Sequence, residues 1–282
     1  MKNIPIRIMS FNFDIDEVRK TVPYFFRFYG FSMTLPYLEP YLIRTMRSAL
    51  EKTTDPAVEH EARQFIGQEA QHNKQHALLN KFVRELNPAM EGIKKIEEEM
   101  KADYLYFTKT KSLKFNLAYV EGFEAAACAI ARTEMEYNSL ENVAQLVDSE
   151  PLRLLRWHLL EEVEHRAVTF NIYKHLYNDY FYRLAIGTYG QYHFFKYVFK
   201  FSKYIKNNHL NGNIENRNDS SLEAPPPNWK QAFSLLGKLL NTYMPWYNPE
   251  HIKLPSKFEN RGVEFSNSAI EIRVPDQMGK DA

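Results

Sequence analysis

The chain has 282 residues, of which 44% are hydrophobic and 15% aromatic, and its formal net charge is +1. This length and apolar content allow one large domain with a sizeable core. Ten glycines are too few for a turn-rich all-β fold, and no glycine-rich phosphate-binding loop is present. The near-zero net charge gives no support for nucleic acid, which is therefore excluded as an expected partner.

Cysteine usage and the amino terminus bear on the cellular compartment. Cys128 is the only cysteine, which excludes an intramolecular disulfide and a cysteine-rich zinc module. It lies in an alanine-rich run and is expected to be buried. Residues 1–20 lack the apolar stretch of a secretory signal. We therefore expect the chain to occupy a reducing cytoplasm.

Four long helices are predicted before residue 180 from apolar spacing and end signals. The second has the clearest start, because Asp55 can cap it and Pro56 suits its first turn. Strand-like alternation is scarce, so the fold class is all-α, with four helices long enough for a bundle. Their predicted ranges are 36–52, 56–87, 101–138 and 151–178.

The remainder of the chain differs in character. Residues 180–206 form a basic amphipathic helix with lysines on one side and aromatic residues on the other. An exposed linker is predicted for 207–228, which is rich in asparagine and proline. A short helix over 229–243 precedes an irregular tail. The expected units are therefore a bundle with one extra helix, 1–206, and a C-terminal helix with an extended tail, 229–282.

Two Glu-x-x-His motifs carry the chemistry, Glu69 with His72 and Glu162 with His165. Residues three apart on a helix point the same way, so carboxylate and imidazole can bind one metal ion. One such motif is weak evidence, since about one is expected by chance from the composition. Two copies in the middle of well-defined helices are a stronger signal of a metal centre.

Each motif has a further histidine on the same helix face, His76 near His72 and His158 near Glu162. His158 is a candidate ligand, with orientation of Glu162 as the alternative. His76 is expected to lie behind a ligand or to face solvent, with direct metal ligation as the alternative. Glu161 could exchange roles with Glu162, because it is also one turn from His165.

A metal site inside a four-helix bundle also takes one glutamate from each of the other two helices. Glu121 is the candidate on the third helix, and Glu124, one turn on, is the runner-up. Glu39 is the candidate on the first helix, although Pro40 disfavours helical geometry there. Glu51 is the alternative, but it is near the helix end.

Two segments resemble a known family. They are Phe65-Ile66-Gly67-Gln68-Glu69-Ala70-Gln71-His72 and Trp157-His158-x-x-Glu161-Glu162-x-Glu164-His165-x-Ala167-Val168. Together they resemble the signatures of bacterial proteins described as predicted metal-dependent hydrolases, which belong with the ferritin-like di-iron group. The resemblance extends over about residues 34–177 and implies a ferritin-like four-helix bundle. It implies metal ligands at Glu39, Glu69, His72, Glu121, Glu162 and His165.

A second likeness concerns the fourth predicted helix. The pattern His158-x-x-x-Glu162-x-x-His165 is similar to that of arylamine N-oxygenases, which use a third histidine on a di-iron centre. This likeness makes His158 a candidate seventh ligand.

The donor set suggests the metal and the reaction. Four carboxylates with two or three imidazoles suit iron, with manganese as the alternative, better than thiolate-binding metals. The leading hypothesis is that two metal ions activate dioxygen to oxidise or oxygenate a small organic substrate. The alternatives are a hydrolase that makes hydroxide from water on two metals and a non-catalytic metal-binding or iron-storage bundle.

The partners follow from these hypotheses. A small-molecule substrate is expected, and oxygen chemistry adds an electron-donor protein. A homodimer and a peripheral membrane contact through 180–206 are further candidates. For that helix, packing on the bundle with its lysines in water is the favoured interpretation.

Overall fold

The computed structural model describes residues 3–137, 149–209 and 228–273, and in these residues the fold is all-α apart from two short strands. Strand β1 (Ile6–Ile8) pairs antiparallel with β2 (Glu271–Arg273), so the two ends of the described chain meet. Short 3-10 turns occur at Pro88–Gly92 and Pro249–His251. The helices are α1 (Ile15–Leu50), α2 (Pro56–Glu85), α3 (Ile93–Thr110), α4 (Leu113–Tyr137), α5 (Glu150–Glu164), α6 (Val168–Leu176), α7 (Tyr180–Asn208), α8 (Trp229–Thr242) and α9 (Phe258–Ser268).

Helix α1 is about twice as long as the predicted first helix. Asp14 caps it by accepting a hydrogen bond from the Glu17 N–H. The helix bends at Phe25, whose φ of −124° and ψ of 29° are not helical, two residues after Pro23. It then continues through Pro40, because packing against α2 and α7 holds it. Pro40 therefore does not interrupt the helix at Glu39, although a proline disfavours helical geometry in the residue before it.

Helix α2 follows its predicted boundaries. The Asp55 side chain accepts a hydrogen bond from the Ala57 N–H at 2.8 Å, and Pro56 is the first helical residue. These interactions are local in the sequence, which is why the start could be predicted from it.

The predicted third helix, 101–138, was wrong as one element. The structure has α3 and α4 with a break between them at Lys111, which is extended with ψ of 152°. The Ser112 hydroxyl accepts a hydrogen bond from the Phe115 N–H at 3.2 Å and caps the new helix. The predicted end at residue 138 lies outside the described residues.

The predicted fourth helix is also divided. Helix α5 ends at Glu164, and α6 begins at Val168. His165 at the break has φ of −92° and ψ of 8°, and its carbonyl accepts a hydrogen bond from the Val168 N–H at 2.9 Å. The second Glu-x-x-His motif therefore ends at a helix terminus rather than in mid-helix.

Helix α7 forms as the sequence predicts and packs along α1 and α4. Its outer side remains exposed, with Phe181, Tyr192 and Phe199 each more than 60% accessible. Among the described residues, no helix combines the length and apolar character that a bilayer crossing requires.

Close contact between α4 and α7 depends on Gly122. A Cβ added there would lie 2.3 Å from the Gly187 Cα, and that backbone atom cannot move aside as a side chain could. Gly122→Ala is expected to destabilise the fold by about 1–3 kcal/mol through overpacking. Gly237→Ala on α8 is the control, because nothing lies within 4 Å of its added Cβ, and it should be neutral or stabilising. Thermal unfolding followed by circular dichroism distinguishes the two, and equal melting temperatures would contradict the contact.

The C-terminal region is more ordered than the predicted irregular tail. Helix α9 packs against α5, and its Arg261 forms a buried 2.6 Å ion pair with Glu134 of α4. Helix α8 begins as predicted and packs against α4. Asn207 and Asn208 of the predicted linker belong to α7, whereas 210–227 and the end of the tail, 274–282, lie outside the described residues. The predicted cysteine burial is confirmed at Cys128.

Candidate metal centre

Four helices direct seven ionisable side chains toward one buried region. Helix α1 supplies one, α2 two, α4 one and α5 two, and the seventh follows α5 at the helix break. Each is at most 1% exposed. In two groups, the donor atoms all lie within 4.8 Å of one another. The groups are Glu39, His72 and His158, and Glu69, Glu124, Glu162 and His165.

Glu162 connects the two groups. Its Oε1 lies 2.9 Å from the His158 Nε2, and its Oε2 lies 3.3 Å from the His165 Nε2. The His158 Nε2 has no aligned hydrogen-bond partner among the described residues in spite of this short distance. Two ligand atoms that converge on a common ion approach each other in this way. Glu162 therefore has one carboxylate oxygen beside a histidine of each group.

Several donor atoms in this cluster have no hydrogen-bond partner among the described residues. They include both carboxylate oxygens of Glu39, both of Glu124, one oxygen of Glu69 and the His72 Nδ1. Leaving a buried polar atom unpaired costs about 1–3 kcal/mol, and more if it is charged. So many convergent unpaired oxygens and nitrogens fit a site for cations, which would pair with them together.

Burial raises the pKa of the acidic donors. The pKa of Glu39 lies well above its ordinary value because of burial, and the charges of Glu162 and Glu124 add to this effect. Burial and Glu124 raise the pKa of Glu69 in the same way. For Glu124, burial and Glu162 raise the pKa to about 7. Without a bound cation, burial and mutual repulsion therefore favour the protonated forms of these carboxyls.

Glu162 and His165 shift each other's pKa values. Burial would raise the pKa of Glu162, but His158 and His165 outweigh it and lower the pKa to about 2. Burial would lower the pKa of His165, but Glu124 and Glu162 raise it well above its ordinary value. The pKa of His72 is lowered well below normal by burial and then by the neighbouring histidines. His72 is therefore neutral, as a metal ligand must be.

His72 is held from behind by a carboxylate. Its Nε2 lies 3.0 Å from the Glu161 Oε2, which leaves Nδ1 facing the cluster. Glu161 in turn accepts hydrogen bonds from Arg7 of β1 at 3.0 Å and from the Trp157 indole at 2.9 Å. A carboxylate behind a histidine fixes the ring and raises its basicity toward a metal. Glu161 therefore orients His72 and does not exchange roles with Glu162.

His165 is held from behind by an amide. Its Nδ1 lies 3.0 Å from the Gln68 Oε1, so Nε2 faces the carboxylates. The Gln68 amide nitrogen donates to the Pro5 carbonyl and to the Glu164 carboxylate, both at 2.9 Å. These bonds fix the orientation of the amide and require the His165 Nδ1 to donate.

Aromatic rings enclose the three histidines. Trp157 lies edge-on to His72 at 4.8 Å between ring centroids, Phe65 to His165 at 4.8 Å, and Phe31 to His158 at 5.3 Å. Trp157 is fully buried in the core. These walls lower the local dielectric constant and strengthen every charge interaction in the cluster.

Six of the seven predicted ligands come together, and Glu121 does not. The Glu121 carboxylate forms a buried 2.8 Å ion pair with Arg183 of α7. Burial raises its pKa, and Arg183 opposes that shift. The runner-up, Glu124, is in the cluster instead. Three residues on a helix turn through about 300°, so the two glutamates point about 60° apart, and contacts distant in the sequence decide which one faces the cluster.

The sequence did not identify the residues that lie behind the candidate ligands, apart from Glu161 and His76. Arg7 is separated from Glu161 by 154 positions, and no local pattern marks it. Gln68 adjoins Glu69, but its adjacency alone does not indicate a contact with His165. Glu51, the alternative on the first helix, is exposed beyond the end of α1 and takes no part.

The family of the chain can be assigned by sequence comparison. A family model described as "Predicted metal-dependent hydrolase" matches residues 12–253. The chain belongs to this family. Comparison with curated proteins and with solved structures gave no significant match. The matched region spans every residue of the two candidate donor groups, so the metal dependence in the family description agrees with the geometry.

Proposed function

We propose that this chain is a ferritin-like enzyme that holds two metal ions, iron in the first instance, and reacts with dioxygen to oxidise or oxygenate a small organic substrate. The observation that carries the proposal is the double contact of Glu162, one oxygen with a histidine of each buried donor group. The four ligand-bearing helices, α1, α2, α4 and α5, support the ferritin-like arrangement.

The ligand sets differ between the two positions. The first ion would be held by Glu39, His72 and His158, and the second ion would be held by Glu69, Glu124 and His165. Both ions would be held by Glu162. Oxygen and imidazole donors suit iron, with manganese as the alternative. Four carboxylates offset the charge of two divalent ions, and the second position is the more anionic. Ferrous iron held by these residues would supply electrons for the reduction of dioxygen.

The protein controls access to this chemistry. Donors that are at most 1% exposed, with aromatic rings against the histidines, exclude bulk water. A diatomic gas is small enough to enter such a site with small movements of side chains, whereas any organic substrate, oxidised or hydrolysed, needs a wider opening. Burial therefore favours dioxygen over a hydrolytic substrate as the first reactant. A catalytic cycle would also require an electron-donor partner.

Hydrolysis is the second candidate, because the family description names it. The same donors could hold two ions that lower the pKa of a bound water. A carboxylate of the two donor groups would accept its proton. This candidate requires a route for a larger substrate into the cluster.

Reaction with oxygen tests the proposal. The protein is loaded anaerobically with ferrous iron, desalted and exposed to dissolved oxygen in an oxygen-electrode cell. The proposal expects stoichiometric oxygen uptake with a new visible absorption, both absent from metal-free protein. Turnover of ester or phosphoester substrates without oxygen, with no uptake by the ferrous form, would favour the hydrolase instead.

A pair of substitutions on α4 tests the ligand set. Glu124→Gln is expected to weaken binding of one ion at least about a hundredfold, since even residues behind a ligand contribute about 10–100-fold. Glu121→Gln is the matched control, because its amide can still accept a hydrogen bond from Arg183 outside the cluster. Metal titration of both variants measures the difference. Metal loss in the Glu121 variant alone would reverse the assignment.

A further inference from the structure

Three buried side chains continue from His158 away from the donor cluster. His76, Ser32 and Asn80 are each fully buried and belong to neither donor group. The His76 Nε2 lies 3.2 Å from the His158 Nδ1, the His76 Nδ1 lies 2.8 Å from the Ser32 hydroxyl, and this hydroxyl lies 2.7 Å from the Asn80 Oδ1. We call these three residues the relay.

The direction of each hydrogen bond follows from the Asn80 end. The Asn80 Nδ2 donates to the Ser32 backbone carbonyl at 2.8 Å, so its Oδ1 must be the atom that faces the Ser32 hydroxyl. That hydroxyl has one proton and donates it to Asn80. Toward His76 it can only accept, so the proton of His76 is on Nδ1.

The tautomer of His158 then follows from that of His76. His76 lies with Phe28 and Phe31 edge-on to its ring, at 6.4 and 6.2 Å between centroids, and such apolar burial favours the neutral imidazole. A neutral ring with its proton on Nδ1 presents a lone pair at Nε2, which can only accept from His158. The His158 proton is thereby held on Nδ1, and its Nε2 faces Glu162.

We propose that His76, Ser32 and Asn80 position His158 by fixing this tautomer, so that His76 controls occupancy of the first metal position without touching the ion. The inference rests on the proposed metal centre and assigns His76 a positioning role. The three histidines then differ in what holds them: a carboxylate for His72, an amide for His165 and a neutral imidazole for His158. His158 has the weakest support of the three. Changes in the relay should therefore empty the first metal position.

The tautomers can be read without any metal. Long-range ¹H–¹⁵N correlation spectra of metal-free protein with labelled histidine are expected to show Nδ1 protonated in both His76 and His158. In Ser32→Ala, the constraint on His76 is lost, and its tautomer should become mixed. His76 or His158 without a proton on Nδ1 in the unchanged protein would overturn the relay.

Metal binding gives the second test. Anaerobic titration with ferrous iron should find two ions per chain in the unchanged protein and about 10–100-fold weaker binding of one ion in His76→Leu. His76→Gln should restore it, because the amide oxygen can accept from His158. His60→Leu, on the same helix outside the cluster, is the control and should bind two ions.

The outcomes separate the relay from the proposed function. Two tightly bound ions in His76→Leu would overturn the relay and leave the metal centre intact. Equal loss in His76→Leu and His76→Gln, with Nδ1 tautomers absent, would reduce His76 to packing. If the unchanged protein binds no iron, the metal centre fails, and control of its occupancy fails with it, whereas the tautomer spectra still decide the hydrogen-bond directions.

Discussion

Glu162→Ala is expected to abolish binding of both metal ions, whereas Glu39→Ala should lose only the first and Glu69→Ala only the second. The reason is geometric. The two Glu162 oxygens contact histidines of different groups, but Glu39 and Glu69 each belong to one group. Removing the shared carboxylate also leaves two neighbouring cations without the negative charge between them.

The comparison is made by elemental analysis after anaerobic loading and desalting, expressed as ions per chain. Far-UV circular dichroism establishes that each variant keeps its helices. The account predicts about zero, one and one ion for the Glu162, Glu39 and Glu69 variants. One retained ion in Glu162→Ala would contradict the shared-ligand role and reduce Glu162 to a member of the second group.

Without bound metal, the free energy of unfolding is expected to fall as pH rises through neutrality. In the metal-free protein, the folded-state pKa values of Glu39 and Glu69 lie well above that of an exposed carboxyl, and that of Glu124 rises to about 7. A group with a raised folded pKa stabilises the fold below its unfolded pKa, and this contribution is lost as pH rises through the folded value. His165, with its raised pKa, acts in the same direction.

Burial lowers the pKa of His72, so this residue adds stability as pH rises toward its unfolded value of about 6.5. The metal-free protein should therefore show a net loss of stability between about pH 6.5 and 8, by about 1.4 kcal/mol per pH unit for each proton involved. Glu162, with a pKa near 2, acts oppositely, but only as pH falls below about 4. Chemical unfolding across this range, with and without bound metal, measures the effect. The loaded protein should show no such decline, because the ions compensate the ionised carboxylates. Parallel curves for both forms would contradict the pKa shifts.

The elements that could be predicted are those defined by local interactions. Asp55 and Pro56 determine the start of α2 within three residues of the sequence. The Glu69–His72 and Glu162–His165 pairs likewise follow from helical spacing. A helical continuation through Pro40 could not be predicted, since it depends on α1 packing against α2 and α7.

The helix breaks at Ser112 and His165 lie in segments whose apolar spacing continues, so periodicity alone does not reveal them. At Ser112 a side-chain cap competes with the helix. At His165 the chain leaves the helix where its ring meets Glu124 of α4, a contact between elements distant in sequence.

The choice between Glu121 and Glu124 shows the same limit. Both are buried acids on one helix, and the sequence identified both as candidates. Arg183 of α7 pairs with Glu121 across 62 positions, which leaves Glu124 for the cluster. Arg7, which holds Glu161 and Glu164 from β1, depends in turn on the pairing of β1 with β2 near the other end of the chain.

The number of iron atoms per chain after anaerobic ferrous loading and desalting tests the central claim most directly. The account predicts two, bound by the unchanged protein and released together when Glu162 is replaced. Protein that is folded and retains no iron, manganese or other metal would contradict it, because the buried carboxylates and imidazoles would then serve packing alone.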